Sequence, residues 1–69
     1  MADIISTIAG KITEVNVNVG DTVTDDDEAF IIEAMKMETV IYGEDGKVKE
    51  ILVKVGENVE EDQVLAVLE

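Results

Sequence analysis

The chain has 69 residues, with 17 Asp and Glu against 5 Lys and no Arg, giving a formal net charge of −12 at pH 7. That length allows one small domain spanning residues 1–69, and a balance this acidic repels nucleic-acid phosphates and anionic membrane surfaces, which are bound through clustered Lys and Arg. With no Cys and no His, there is no disulfide framework, thiol nucleophile, His-based triad or Cys/His zinc site, so most self-contained enzyme chemistry is excluded.

In chain order, Met1-Ala2-Asp3 lacks the basic start of a signal peptide. The longest apolar run, the five residues Val64 to Leu68, falls far short of the ~20 that span a bilayer. The expectation is a soluble, cytoplasmic chain with no membrane insertion. Of the 69 residues, 24 are Val, Ile or Thr, whose branched side chains suit pleated strands, so the fold class is all-β. Glu14-Val15-Asn16-Val17-Asn18-Val19 alternates polar and apolar without error, which predicts a strand with its odd positions facing the core. Gly20-Asp21 and Asp25-Asp26-Asp27 read as turns, and Ala29-Phe30-Ile31-Ile32 as a buried strand. A further strand follows at Thr39-Val40-Ile41-Tyr42. Gly43-Glu44-Asp45-Gly46, Gly56-Glu57-Asn58 and Glu60-Glu61-Asp62 mark the remaining turns. The acidic turns have neither the spacing nor the central Gly of a calcium loop.

Shifting the sequence against itself by 36 positions aligns Gly10-Lys11-Ile12 with Gly46-Lys47-Val48 and runs without a gap to Glu33 on Glu69, with nine identities over 24 positions. The chain is therefore two similar halves, 1–36 and 37–69. Neither half of about four short strands can bury its apolar face alone, so together they predict a two-sheet sandwich or flattened barrel with pseudo-twofold symmetry. Ile12 and Val15 are three apart, as are Val48 and Ile51, which predicts a β-bulge near Thr13-Glu14 and another near Lys49-Glu50. The link Ala34-Met35-Lys36-Met37 has its symmetry counterpart beyond the chain ends, which places it at the end of the barrel opposite the termini.

Four of the five lysines fall inside the repeat: Lys11 and Lys47 are partners, and Lys49 and Lys54 align with Thr13 and Asn18. Lys36 stands outside it, at the tip of a hairpin between two apolar strands. A two-residue hairpin turn that fits the strand twist needs φ > 0 and favours Asn-Gly or Asp-Gly, yet Met35-Lys36 occupies this one. A turn residue this unfavourable points to a functional demand. By itself, a lone surface lysine is most often a solvated charge, and methionines beside it are most often gap-fillers in a core.

The string Glu33-Ala34-Met35-Lys36-Met37, with Gly20-Asp21-Thr22-Val23 before it and Gly46-Lys47-Val48 and Gly56-Glu57-Asn58-Val59 after it, resembles the biotinyl domain of biotin carboxyl carrier proteins over essentially the whole chain. The resemblance implies a biotinyl/lipoyl barrel-sandwich of two four-stranded antiparallel sheets. The gapless repeat leaves no room for the thumb insertion found in carriers like the bacterial acetyl-CoA carboxylase subunit. It also implies that biotin protein ligase acylates Lys36 with biotin, and that Glu33, Ala34, Met35, Met37 and Glu38 are the recognition residues around it. The implied role is non-catalytic: the arm receives CO₂ at a biotin carboxylase and delivers it, as carboxybiotin, to a carboxyltransferase or decarboxylase subunit, with the isolated domain monomeric. Two features depart from the family, which usually has Gly where this chain carries Asp26 and Asp62, and a Pro near Thr7. The alternatives are a lipoyl-type carrier, whose motif usually has Asp before and Ala after the modified lysine, and an unmodified structural or interaction barrel.

Overall fold

The computed structural model describes residues 2–69, and among them there are eight strands and no helix. They are β1 (Asp3–Ile5), β2 (Gly10–Val15), β3 (Thr22–Val23), β4 (Glu28–Ala34), β5 (Met37–Tyr42), β6 (Gly46–Ile51), β7 (Asn58–Val59) and β8 (Val64–Leu68). No helix among the described residues is long and apolar enough to cross a membrane.

Two four-stranded sheets form, in the orders β1-β8-β6-β3 and β5-β4-β2-β7, and every neighbouring pair is antiparallel. A shift of 36 residues carries β1 onto β5, β8 onto β4, β6 onto β2 and β3 onto β7, so one sheet maps onto the other. Each sheet takes two strands from each half. The halves are interleaved rather than stacked, which explains why neither half can form a core without the other.

The core runs along the inner faces of both sheets and includes Ile4, Ile12, Phe30, Ile32, Val48, Leu65 and Leu68, none more than 1% exposed. Phe30 is its largest side chain. Burying a side chain of this size contributes on the order of 2–3 kcal/mol, and a chain this short without disulfide or metal depends on such terms.

Both predicted bulges are present. Pairing of β2 with β4 shifts register between Ile12 and Glu14, and pairing of β6 with β8 shifts between Val48 and Glu50. At the first of them the Thr13 hydroxyl donates to the Ile31 carbonyl across the two strands at 3.2 Å.

The alternation from Glu14 to Val19 overstates the strand. β2 ends at Val15; Val17 is buried outside any strand, and Val19 is 64% exposed. The chain turns at Asn18–Asp21, where the Asn18 amide donates to the Asp21 carboxylate at 2.8 Å and Gly20 takes φ 95°. Val19 rides on the outside of that turn. Its repeat partner Val55 does the same on the turn at Gly56, 60% exposed.

Candidate attachment site

The register of β4 and β5 leads directly to the tip. Ile32 pairs with Thr39, Glu33 with Glu38 and Ala34 with Met37, which leaves Met35 and Lys36 as the two unpaired turn residues. Their φ angles are 54° and 65°. Two consecutive left-handed residues are the signature of a type I′ turn, whose own twist matches that of the strands it joins. The right-handed twist of a long hairpin thus forces both residues into a region where an L-residue is disfavoured by roughly 1–2 kcal/mol. Strand pairing along six register positions holds them there.

Every residue of the tip from Met35 to Glu38 is exposed, as is Glu33; only Ala34 is half-buried. Met35 is 94% exposed and Met37 71%. Neither packs beneath the hairpin, so the reading of these methionines as core fillers is not what the fold uses. Glu33 and Glu38 face each other across the β4–β5 ladder, and Lys11 stands opposite Glu33 on β2, with Asn58 of β7 beyond it. Directly opposed residues of an antiparallel ladder project to the same face. A row of Glu38, Glu33, Lys11 and Asn58 therefore runs across the four strands just below the tip.

The tip points away from the chain ends. β5 leaves it at Met37 and runs six residues to Tyr42, about 20 Å at the usual strand rise. There, past the turn, Gly46 packs against the C-terminal residue: a Cβ on Gly46 would lie 3.2 Å from the Glu69 carbonyl oxygen. The Leu68 amide donates to the Ala2 carbonyl at 2.8 Å, so the two described ends lie together at that pole. At the tip's own pole sit the Ser6–Ala9 loop and the acidic turn after β7, joined by the Asp62 amide donating to the Ser6 carbonyl at 2.8 Å.

One structural residue of the site went unmarked in the motif. Gly10 pairs with Val59 on one side, and on the other a Cβ at its position would lie 2.6 Å from the Glu33 carbonyl oxygen and 2.6 Å from Ile32 Cγ2. Only a residue without a side chain lets β2 approach the upper end of β4 this closely. The sign of it in the sequence is the repeat, which pairs Gly10 with Gly46, each at the start of its strand.

Chemically the tip offers one primary amine on an exposed residue, carried by a hairpin turn at the end of a four-stranded sheet. Among the described residues no group of three or more His, Cys, Asp or Glu is disposed to hold a metal ion. The chain has no His to act as a base. A group joined to Lys36 by an amide fits: nothing on the hairpin covers the side chain, and the strand pairing that fixes the turn does not involve it.

Comparison with known proteins agrees with this geometry. The sequence description of the family "Biotin-requiring enzyme" (Biotin_lipoyl) matches residues 1–68. Among solved structures, the Kluyveromyces lactis urea carboxylase is similar with a TM-score of 0.86 and 38% identity, over 99% of this chain and 6% of that one. A single-chain, multi-domain long-chain acyl-CoA carboxylase is similar with a TM-score of 0.85 and 26% identity, over 94% of this chain and 7% of that one. The chain thus spans a small fraction of the length of these much larger proteins. No curated protein matches the sequence.

Proposed function

The chain belongs to the biotin-requiring enzyme family, and from that premise we propose that residues 1–69 act as one carrier domain bearing biotin in amide linkage on Lys36. The observation that carries this reading is the exposed lysine in a left-handed turn at the pole opposite the chain ends.

Loading is a reaction of Lys36 Nζ. An alkylammonium is protonated at neutral pH, and this chain supplies no His to remove the proton, so the ligase provides the base as well as the activated acyl group. In the step itself Nζ attacks the carbonyl of biotinyl-adenylate, the new C–N bond forms, AMP leaves, and the amine's proton passes to the ligase. The positive charge of Lys36 disappears, so the formal net charge of −12 becomes −13. When bound, the group supplies a ureido nitrogen that takes up and releases CO₂.

The remaining work of this chain is presentation. A group on the end of a lysyl arm, itself on an exposed turn at one end of the barrel, reaches each partner site at an effective concentration on the order of mM without dissociating between visits. A biotin carboxylase and a carboxyltransferase or decarboxylase are the partners of this reading, with biotin protein ligase as the third. The carboxylases among the structural neighbours support it. Glu33, Ala34, Met35, Met37 and Glu38 surround the amine and are the residues these partners meet. The overall acidity suits a domain that stays monomeric and meets basic surfaces, and ATP-dependent loading suits the cytoplasm.

The test is direct. Intact mass and streptavidin capture are measured after incubation with biotin protein ligase, ATP and biotin, for the parent chain and for Lys36→Arg. One biotin on the parent and none on the variant is the expected result. Capture that persists in Lys36→Arg moves the site elsewhere, and acceptance of lipoate in place of biotin makes this a lipoyl-type carrier.

A further inference from the structure

The chain has three methionines and no cysteine. Two of the three, Met35 and Met37, are the residues on either side of Lys36, and among the described residues they are the two most exposed of the large apolar side chains. Among the described residues the other exposed large apolar side chains are Ile5, Val19, Tyr42, Leu52 and Val55, none of which carries sulfur. The readily oxidised sulfur of the described structure is therefore concentrated within one residue of the reactive amine. Nothing in the barrel requires it there. Both side chains lie outside the core.

We propose that Met35 and Met37 form a reversible oxidation site that governs whether Lys36 is loaded. The inference rests on the carrier reading given above. The oxidant is a peroxide: one oxygen atom passes to each thioether sulfur, giving the sulfoxide, and the peroxide is reduced by two electrons to water or alcohol. A thiol-dependent sulfoxide reductase returns the thioether, with the oxygen leaving as water and the thiols becoming a disulfide.

The consequence follows from what the side chains offer a partner. A thioether is flexible, polarizable and apolar, and fits an apolar pocket by adjusting its torsions. The sulfoxide is polar and chiral and brings a strong acceptor oxygen that such a pocket leaves unpaired. Because both sulfurs are outside the core, oxidation leaves the barrel intact and alters only the surface that the ligase reads. The hairpin register puts Met35 in the turn with Lys36 and Met37 at the first paired position after it, so both thioethers adjoin the amine in the chain.

The experiment treats the apo chain with hydrogen peroxide, maps the added oxygen by peptide mass, and then follows biotin loading by ligase, ATP and biotin. Circular dichroism before and after treatment reports the fold. The expected result is oxygen on Met35 and Met37, an unchanged spectrum, loading slowed by about tenfold or more, as for loss of one apolar anchor, and recovery after a sulfoxide reductase. The doubly substituted Met35→Leu, Met37→Leu chain keeps the apolar shape without the sulfur, and its loading rate is expected to be the same with and without peroxide; the single substitutions serve if the double variant loads poorly. Equal loading of oxidised and untreated parent overturns the proposal, and so does a peroxide effect of undiminished size in the double variant or in both single variants. An untreated parent that takes no biotin overturns the carrier reading itself, and this inference with it.

Discussion

Met35 and Lys36 are held at backbone angles that most residues avoid, and the turn type explains why. A two-residue connection between twisted strands demands φ > 0 whatever the side chains are, so the left-handed turn was legible from the hairpin spacing alone. The same reasoning fails for the paired acidic turns. The repeat aligns Asp26 with Asp62 and gives both the same geometry, whereas only Asp62, at φ 69°, is left-handed. The difference lies in local hydrogen bonds. The Asp26 amide is turned toward the Thr24 hydroxyl at 3.3 Å, while Glu60, at the equivalent position, has no hydroxyl and the Asp62 amide donates instead to Ser6. Opposite signs follow for one substitution at two matched positions. Asp62→Gly relieves the disfavoured angle and is expected to stabilise by about 0.5 kcal/mol after its added unfolded-state entropy is subtracted. Asp26→Gly has no such strain to relieve and is expected to destabilise by about 0.5–1 kcal/mol. Urea midpoints of the two variants decide it, and shifts of the same sign show that the angle at Asp62 is not what distinguishes the turns.

At the level of the element, the tip depends on how closely β2 can lie against β4. The bulges at Thr13 and Lys49 were visible in the sequence as a three-residue step in the apolar pattern, because a bulge changes which face each residue occupies. Close approach leaves no such trace in hydropathy, so the role of Gly10 emerges only from distances. Gly10→Ala places a Cβ against the Glu33 backbone carbonyl, which is itself fixed in the ladder, as well as against Ile32 Cγ2. β2 and β4 must part locally, and the expected loss of stability is about 1–3 kcal/mol. Because the separation occurs beside Glu33, two residues before the turn, the protection of the amides between Glu33 and Glu38 against hydrogen exchange is expected to fall more than that of the amides in β6 and β8. A uniform loss across both sheets instead makes Gly10 a residue of global packing with no special tie to the hairpin. The run from Asn16 to Val19 teaches the complementary lesson. Alternation records which side faces inward, but the Asn18–Asp21 turn, closed by a carboxylate and a glycine, decides where the strand stops.

Taken as a whole, the molecule carries its carboxylates in turns at both poles and on exposed strand positions, with only five lysines among seventeen acidic residues. The interleaving of the halves was legible only in part: the repeat showed that two halves exist and need each other, but the exchange of strands between sheets is a property of the pairing. This compactness sets up a conflict with charge. The folded chain has a radius of gyration of 10.8 Å and extents of 32 × 20 × 17 Å, whereas an unfolded chain of this length spreads to a radius of roughly 25 Å. Seventeen acidic residues against five lysines therefore repel one another more strongly folded than unfolded. At about 0.01 M salt the screening length of roughly 30 Å covers the entire molecule, and at about 0.15 M it falls to about 8 Å, less than half a strand hairpin. Raising salt across that interval is expected to raise Tm by about 5 °C, the shift that corresponds to roughly 1 kcal/mol in a domain of this size. The rise levels off above it, because once the screening length is shorter than the distance between the poles only neighbours within a turn still interact. Thermal melts by circular dichroism at neutral pH in sodium chloride check this. A Tm that stays flat or falls over the same range shows that the carboxylates are spaced widely enough for water alone to separate them, and that the acidity serves encounter with partners at no cost to the fold.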